Sequence, residues 1–182
     1  MRIISGNLKG ILIQPPPGLP VRPTTDRAKE SLFNILANRF ELAGIEVLDL
    51  FSGTGNMAYE CCSRGAARVV AIDINAKCVD FIKSMKQKHQ LGALTVRKAD
   101  VFKYLSNPEG TYDIVFADAP YAHPQMVEIP RRIMQSNLLK ATGTLVVEHE
   151  SNLDLSHESG FFECRKYGQS SFSFFKHSPA TI

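Results

Sequence analysis

The 182-residue sequence contains no tryptophan, only four cysteines, and no apolar run approaching the roughly 20 residues that cross a bilayer. No two cysteines have the C-x-x-C spacing of a zinc site, so no structural metal is predicted. The first residues also lack the apolar segment of a secretory signal. The sequence therefore predicts a reduced, cytoplasmic protein without a metal ion or a membrane span.

A strong excess of charge is also missing, because 21 Lys and Arg against 18 Asp and Glu give a net charge of +3. The basic excess lies within residues 1–40, which contain six basic and two acidic side chains. A local excess of this kind can hold a phosphate backbone, although an ordinary solvated surface has the same composition. Charge alone therefore leaves nucleic-acid binding open.

Strands and helices alternate along most of the chain. Apolar runs at 46–51, 68–73, 94–97, 112–117 and 144–148 predict strands, and 161–176 predicts two antiparallel strands around a turn; the helical patterns are 56–64, 76–90, 101–105 and 125–136. This alternation predicts an α/β fold with a mostly parallel sheet covered by helices on both faces. Residues 1–23 predict a separate β-hairpin and proline-rich loop, followed by one domain over 24–182.

A glycine loop follows the first strand of this series. Gly53 and Gly55 lie between that strand and a helix, where ligands bind in such sheets, and Asp73 ends the next strand. The spacing fits a dinucleotide-binding loop. However, Asp49 lies within the strand, and a carboxylate there suits a cationic ligand such as S-adenosylmethionine better than a pyrophosphate. This loop alone does not decide between a dinucleotide and S-adenosylmethionine.

A second motif, Asp118-Ala119-Pro120-Tyr121, follows the predicted strand at 112–117. An amino group conjugated to a ring is a poor nucleophile, and acceptors on its two hydrogens free its lone pair. Asp118 and the carbonyl of Ala119 can be those acceptors, while Tyr121 can stack on the base. The motif therefore favours methylation of an exocyclic amine.

In this order, DLFSGTG, VVAID and DAPY resemble the Rossmann-like S-adenosylmethionine-dependent methyltransferases. MRIISGNLKG, RPTTDRAKESLFNIL and KYGQSSFSFF extend the resemblance over nearly the whole chain, to the RsmD-type 16S rRNA guanine-N2 methyltransferases of bacteria. That family has proline where Ala119 stands. The carbonyl is retained, so activity is expected to persist.

The resemblance implies a class I methyltransferase fold with a seven-stranded, mostly parallel sheet whose last strand is antiparallel. It implies S-adenosylmethionine as cofactor and 16S rRNA or the small ribosomal subunit as partner, with a monomer as the default. The residues expected around the cofactor are Thr24, Thr25, Asp49, Phe51, Gly53, Gly55, Asp73, Ile74, Asp100 and Val101. The catalytic set is Asp118, Ala119, Pro120 and Tyr121, and the expected RNA contacts are Arg2, Lys9, Arg22 and Arg27.

Three other functions share part of these features. A nicotinamide-dependent dehydrogenase would use the glycine loop but not DAPY. A methyltransferase acting on DNA adenine or a protein amide would share the chemistry but not RPTTDR. A non-catalytic RNA-binding module would use the basic N-terminal residues but would have no use for Asp49, Asp73 and Asp118.

Overall fold

The computed structural model describes residues 1–19, 24–120 and 123–177. Its strands are β1 (Glu46–Leu50), β2 (Arg68–Asp73), β3 (Leu94–Lys98), β4 (Tyr112–Ala117), β5 (Leu139–Glu150), β6 (Phe161–Tyr167) and β7 (Ser170–Phe175). Its helices are α1 (Asp26–Ala37), α2 (Asn56–Ser63), α3 (Ala76–Lys88), α4 (Val101–Tyr104) and α5 (Ile129–Met134). The chain divides into two compact units, Met1–Val101 and Phe102–Ile182.

In the first unit, β2 pairs in parallel with both β1 and β3. Asp49 lies opposite Ala71, and Asp73 lies opposite Lys98. Because the three strands run the same way, their carboxyl ends lie on one edge. The predicted positions of Asp49, the glycine loop and Asp73 along these strands are confirmed.

The basic N-terminal residues form the predicted hairpin-like turn within the first unit. A single antiparallel bridge joins Arg2 to Leu12, and Ile3 and Ile13 are buried. Thr25 then caps α1, since its hydroxyl accepts a hydrogen bond from the Ala28 amide at 3.2 Å. The predicted division into an N-terminal extension over residues 1–23 and a domain over 24–182 stays a prediction.

In the second unit, β4 pairs in parallel with β5, while β7 runs antiparallel to both β5 and β6. The predicted helix over 125–136 is shorter than expected. A 3₁₀ turn at Met126–Glu128 precedes α5, which carries Pro130 at its first turn. Proline has no amide to bond to the preceding turn, so it begins a helix more readily than it continues one.

The hydrogen-bonded order of the strands is β3-β2-β1-β4-β5-β7-β6. This order confirms the predicted seven-stranded, mostly parallel sheet with an antiparallel last strand. None of the helices in the described ranges is long and apolar enough to cross a membrane. Over the same ranges, no group of three or more His, Cys, Asp or Glu side chains is arranged to hold a metal ion.

Candidate functional site

The loop between β1 and α2 has an unusual backbone. Phe51, Gly53 and Gly55 all have positive φ angles, of 60°, 51° and 80°. Residues with a side chain are strained at positive φ. Phe51 therefore adopts a sparsely populated backbone conformation, of the kind found at functional sites. A Cβ added at Gly55 would lie 2.8 Å from Cζ of Tyr59. The second glycine is therefore required by both backbone conformation and close packing.

The carboxylate of Asp73 fixes this loop to the end of β2. It accepts hydrogen bonds from the amides of Gly53 at 2.7 Å and Asn75 at 2.8 Å. Each oxygen keeps a second lone pair that a ribose hydroxyl can use. Asp100 follows β3 at the same edge, next to the buried Val101. Ile74 is 62% exposed, a high value for an apolar side chain that would otherwise be expected in the core.

Asp49 is the most unusual titratable group of the site. Its carboxyl is buried, and no described residue gives Oδ2 a hydrogen-bond partner. Burial, with a smaller contribution from the charge of Asp73, raises its pKa from 3.8 to about 7, and a hydrogen bond from the Ala58 amide opposes that rise. An unpaired buried polar group costs ~1–3 kcal/mol, so the free protein retains it at the expense of stability.

This arrangement fits S-adenosylmethionine. A buried carboxylate with one unpaired oxygen attracts an ammonium group and repels a phosphate. The positive φ angles of Gly53 and Gly55 also turn the backbone sharply between β1 and α2, at the edge of the sheet where Asp49 and Asp73 lie. Asp49, the glycines and Asp73 are thus the residues that would hold the donor's amino-acid and ribose parts.

The predicted Thr24-Thr25 segment reaches the glycine loop through Asn56, the first residue of α2. The Asn56 side-chain amide donates to the Thr24 carbonyl at 3.3 Å. Its Oδ1 accepts from Lys29 Nζ at 2.8 Å. The structure therefore brings Thr24 to the start of α2, while contact of either threonine with the donor remains a prediction.

A buried ionic cluster, which the sequence did not predict, surrounds Glu60 of α2. Its carboxylate accepts from the amides of Ile4 at 2.9 Å and Ser5 at 3.0 Å. It also accepts from Arg64 Nε at 2.8 Å and lies 3.2 Å from Lys29 Nζ. Glu60 is fully buried and Lys29 nearly so. The one sequence signal was a carboxylate inside the apolar stretch 57–62. We refer to these five residues as the Glu60 cluster.

The second motif lies in the second unit, directly after β4. Asp118 is half-buried, Ala119 is buried, and the Pro120 carbonyl accepts from the His123 amide at 2.8 Å. Tyr121 lies outside the described residues. Asp118 and Ala119 thus follow directly after β4, as the sequence predicted.

An aromatic stack near this motif was not predicted either. His123 stacks on Phe102 with ring centroids 4.4 Å apart, and the Arg132 guanidinium lies 5.6 Å from the Phe102 ring centroid. Arg132 also pairs with Glu128 at 2.8 Å. These contacts hold His123 and Arg132 against Phe102 of α4. A lone histidine and phenylalanine far apart in sequence give no signal of such a contact.

Arg2, Lys9 and Arg27, the predicted RNA contacts of the first unit, are exposed side chains. Leu12, across the bridge from Arg2, is 57% exposed. Arg22 lies outside the described residues. The exposed positions are compatible with an RNA surface, whose existence stays a prediction.

Comparison with known proteins gives consistent matches. The family model described as "Conserved hypothetical protein 95" matches residues 1–176. A Bacillus subtilis protein, YlbH, provisionally described as an rRNA methyltransferase, is 31% identical over 88% of both chains. The Escherichia coli "Ribosomal RNA small subunit methyltransferase D" is 30% identical over 82% of this chain and 75% of its own.

A solved structure also matches closely. The Escherichia coli protein yhhF, provisionally described as a methyltransferase, is 26% identical, with a TM-score of 0.83 and 96% of each chain covered. The family predicted from the motifs is therefore confirmed, and the chain belongs to the RsmD-type methyltransferase family.

Proposed function

We propose that this protein transfers a methyl group from S-adenosylmethionine to the exocyclic N2 amine of a guanine in 16S rRNA of the small ribosomal subunit. The observation that carries the proposal is the buried Asp49 carboxylate, whose Oδ2 has no hydrogen-bond partner among the described residues, beside the positive-φ glycine loop. Such a site favours a cationic donor over a dinucleotide. The names of the Bacillus subtilis and Escherichia coli relatives support ribosomal RNA as the acceptor.

On the donor side, the bound cofactor supplies an activated methyl group on its sulfonium. Asp49 binds the ammonium group, and the backbone at Gly53 and Gly55 allows the amino-acid part to approach closely. Asp73 accepts hydrogen bonds from the ribose hydroxyls, and Asp100, Val101 and Ile74 border the adenine. The contribution of these residues is mainly positioning.

On the acceptor side, Asp118 and the Ala119 carbonyl accept hydrogen bonds from the two hydrogens of the guanine amine. These contacts favour a tetrahedral nitrogen and direct its lone pair to the methyl group. Tyr121 stacks on the guanine, which must be unpaired or flipped out to be reached. As the bond from the nitrogen to the methyl carbon forms, the bond from sulfur to that carbon breaks and S-adenosylhomocysteine would be released. The alkylated nitrogen then loses a proton to Asp118 or to water.

The functional experiment is to map methylation of ribosomal RNA in cells with and without this protein. We expect one N2-methylguanine of 16S rRNA to be lost without it and restored by the purified protein with S-adenosylmethionine. Loss of no RNA methyl group, with transfer to DNA or protein substrates instead, would refute the RNA assignment.

The role of Asp118 can be separated from donor binding. Asp118→Ala should reduce turnover by at least ~100-fold while leaving the affinity for S-adenosylhomocysteine unchanged. Asp113→Asn is the control: it removes a carboxylate of the preceding strand β4 that pairs with Lys140 at 2.9 Å, and it should leave turnover unchanged. Near-normal turnover of Asp118→Ala would show that another group handles the amine.

The departure from the family pattern at Ala119 has its own test. Ala119→Pro keeps the acceptor carbonyl and stiffens the turn, so turnover should be equal or higher. A collapse of turnover in a folded variant would show that the alanine geometry is required.

The predicted RNA surface is best tested by point substitutions. Residues 1–13 cannot be removed cleanly, because the amides of Ile4 and Ser5 bind the buried Glu60 carboxylate. Lys9→Glu and Arg27→Glu should weaken RNA binding, and reduce its dependence on salt, without changing donor affinity. Unchanged RNA affinity in both variants would place the RNA on another surface.

A further inference from the structure

One buried polar group of the first unit has no role in the mechanism above. The Tyr59 side chain is 1% exposed, and its hydroxyl has no hydrogen-bond partner in the described part of the chain. The only other buried side-chain atom in that condition there is Oδ2 of Asp49. Tyr59 occupies a helix position where phenylalanine would fill the same space. The hydroxyl therefore requires an explanation.

The phenol lies directly beneath the glycine loop. A Cβ built on Gly55 would stand 2.8 Å from Tyr59 Cζ and 2.9 Å from its hydroxyl oxygen. The same point is 3.1 Å from Cγ1 of Ile82 in α3. The polar end of Tyr59 thus lies by the backbone turn that defines the candidate donor site, next to the apolar side chain of Ile82.

The electrostatics connect this phenol to Asp49. Burial, and then the charge of Asp49, raise the pKa of the Tyr59 hydroxyl. The phenol therefore stays protonated and can act as a hydrogen-bond donor. The other titratable groups that face Asp49 are Asp73 on β2, which disfavours its ionisation, and Cys61 on α2, whose thiol is a weak donor. Tyr59 is the strongest neutral donor of this set.

We propose that Tyr59 is a positioning residue for the methyl donor: its hydroxyl donates a hydrogen bond to the Asp49 carboxylate, directly or across one buried water, when that carboxylate faces the donor's ammonium group. In this state both orphaned atoms acquire partners at once. The inference rests on the proposed function, since it assumes that Asp49 receives the ammonium group.

The test is titration of the protein with S-adenosylhomocysteine, which carries the ammonium group but no transferable methyl group. Tyr59→Phe should bind it about fivefold to tenfold more weakly than wild type. Tyr112→Phe is the matched control: Tyr112 is also 1% exposed, but its hydroxyl donates to the Glu109 carbonyl at 3.1 Å. This control should leave the affinity unchanged.

A pH series distinguishes positioning of Asp49 from loss of packing. In wild type, affinity should fall as the pH drops below about 7, where Asp49 of the free protein becomes protonated. The hydroxyl acts on the ionised carboxylate of the bound state, so the affinity difference between wild type and Tyr59→Phe should be largest above pH 7 and shrink as Asp49 becomes protonated. Lost packing would instead weaken binding equally at every pH, and that result would overturn the inference. A thermal unfolding temperature equal to or above that of wild type would show that the free protein is intact.

The outcomes separate the two hypotheses. If wild type binds S-adenosylhomocysteine and Tyr59→Phe binds it equally well at pH 8 and at pH 6, the role of Tyr59 is refuted and the proposed function stands. If wild type itself does not bind, the proposed function fails. A lower unfolding temperature for free Tyr59→Phe would also overturn the inference, because it would mean that the hydroxyl is already paired.

Discussion

Two neighbouring residues of α2, Tyr59 and Glu60, are both buried, but their polar atoms are in opposite conditions. Glu60 is fully buried and receives hydrogen bonds or ionic contacts from four groups. The Tyr59 hydroxyl and Oδ2 of Asp49 have no partner among residues 1–19, 24–120 and 123–177. Because native proteins pair most of their buried polar groups, we infer that the paired groups hold the fold together and that the unpaired ones serve a ligand.

The Glu60 cluster is where we expect the largest effect. Glu60→Ala leaves Lys29 buried beside Arg64 without its carboxylate, and leaves two N-terminal amides without an acceptor. The free energy of unfolding should fall by about 3–5 kcal/mol, measured by urea denaturation. Glu128→Gln, which breaks the partly exposed pair with Arg132, should change it by at most about 1 kcal/mol. Similar losses in the two variants would show that the buried cluster has no special role.

Asp49→Asn should act in the opposite direction on stability. Between pH 4 and 7 the folded protein keeps a proton on Asp49 that the unfolded chain has lost, so the free energy of unfolding of wild type falls as the pH rises through this range. The variant removes this contribution and should be more stable by roughly 4 kcal/mol at pH 8. The same variant should bind S-adenosylhomocysteine at least about tenfold more weakly. A loss of stability at pH 8 would mean that the carboxylate is satisfied in the free protein.

A smaller effect is expected when one hydroxyl of α2 is removed, either the paired hydroxyl of Ser63 or the unpaired hydroxyl of Tyr59. The Ser63 hydroxyl donates to the Ser5 carbonyl at 2.5 Å and accepts from the Leu8 amide at 2.9 Å. Ser63→Ala should therefore lose about 1–2 kcal/mol of unfolding free energy without altering donor affinity. Tyr59→Phe should lose no stability. The reverse ranking, by thermal or urea unfolding, would break the distinction between the paired and unpaired groups.

Much of the fold follows from short-range sequence patterns. The apolar runs at Arg68–Asp73 and Tyr112–Ala117 are strands with the predicted bounds. Gly53 and Gly55 mark the loop because their backbone angles exclude most side chains. The helix predicted over 125–136 was wrong in length, because Pro130 lies in the first turn of α5 and the residues before it form a 3₁₀ turn. β5 begins at Leu139, five residues before its predicted start.

The parts of the site that sequence reasoning missed depend on contacts between distant residues. Ile4 and Glu60 are 56 positions apart, and Lys29 and Glu60 are 31 apart. The positions of Asp49 and Asp73 could be predicted because both residues lie near the ends of strands that short apolar runs identify. A tyrosine in a helix, by contrast, is usually part of the core, so only the unpaired hydroxyl in the structure identifies Tyr59.

The central claim, that Asp49 is the group kept for the cationic end of a methyl donor, is tested most directly by calorimetric titration with S-adenosylhomocysteine at pH 8 and pH 6. We predict binding at both values, with clearly higher affinity at pH 8 in wild type and no such difference in Asp49→Asn. Failure to bind, or a wild-type affinity that is independent of pH, would contradict the claim.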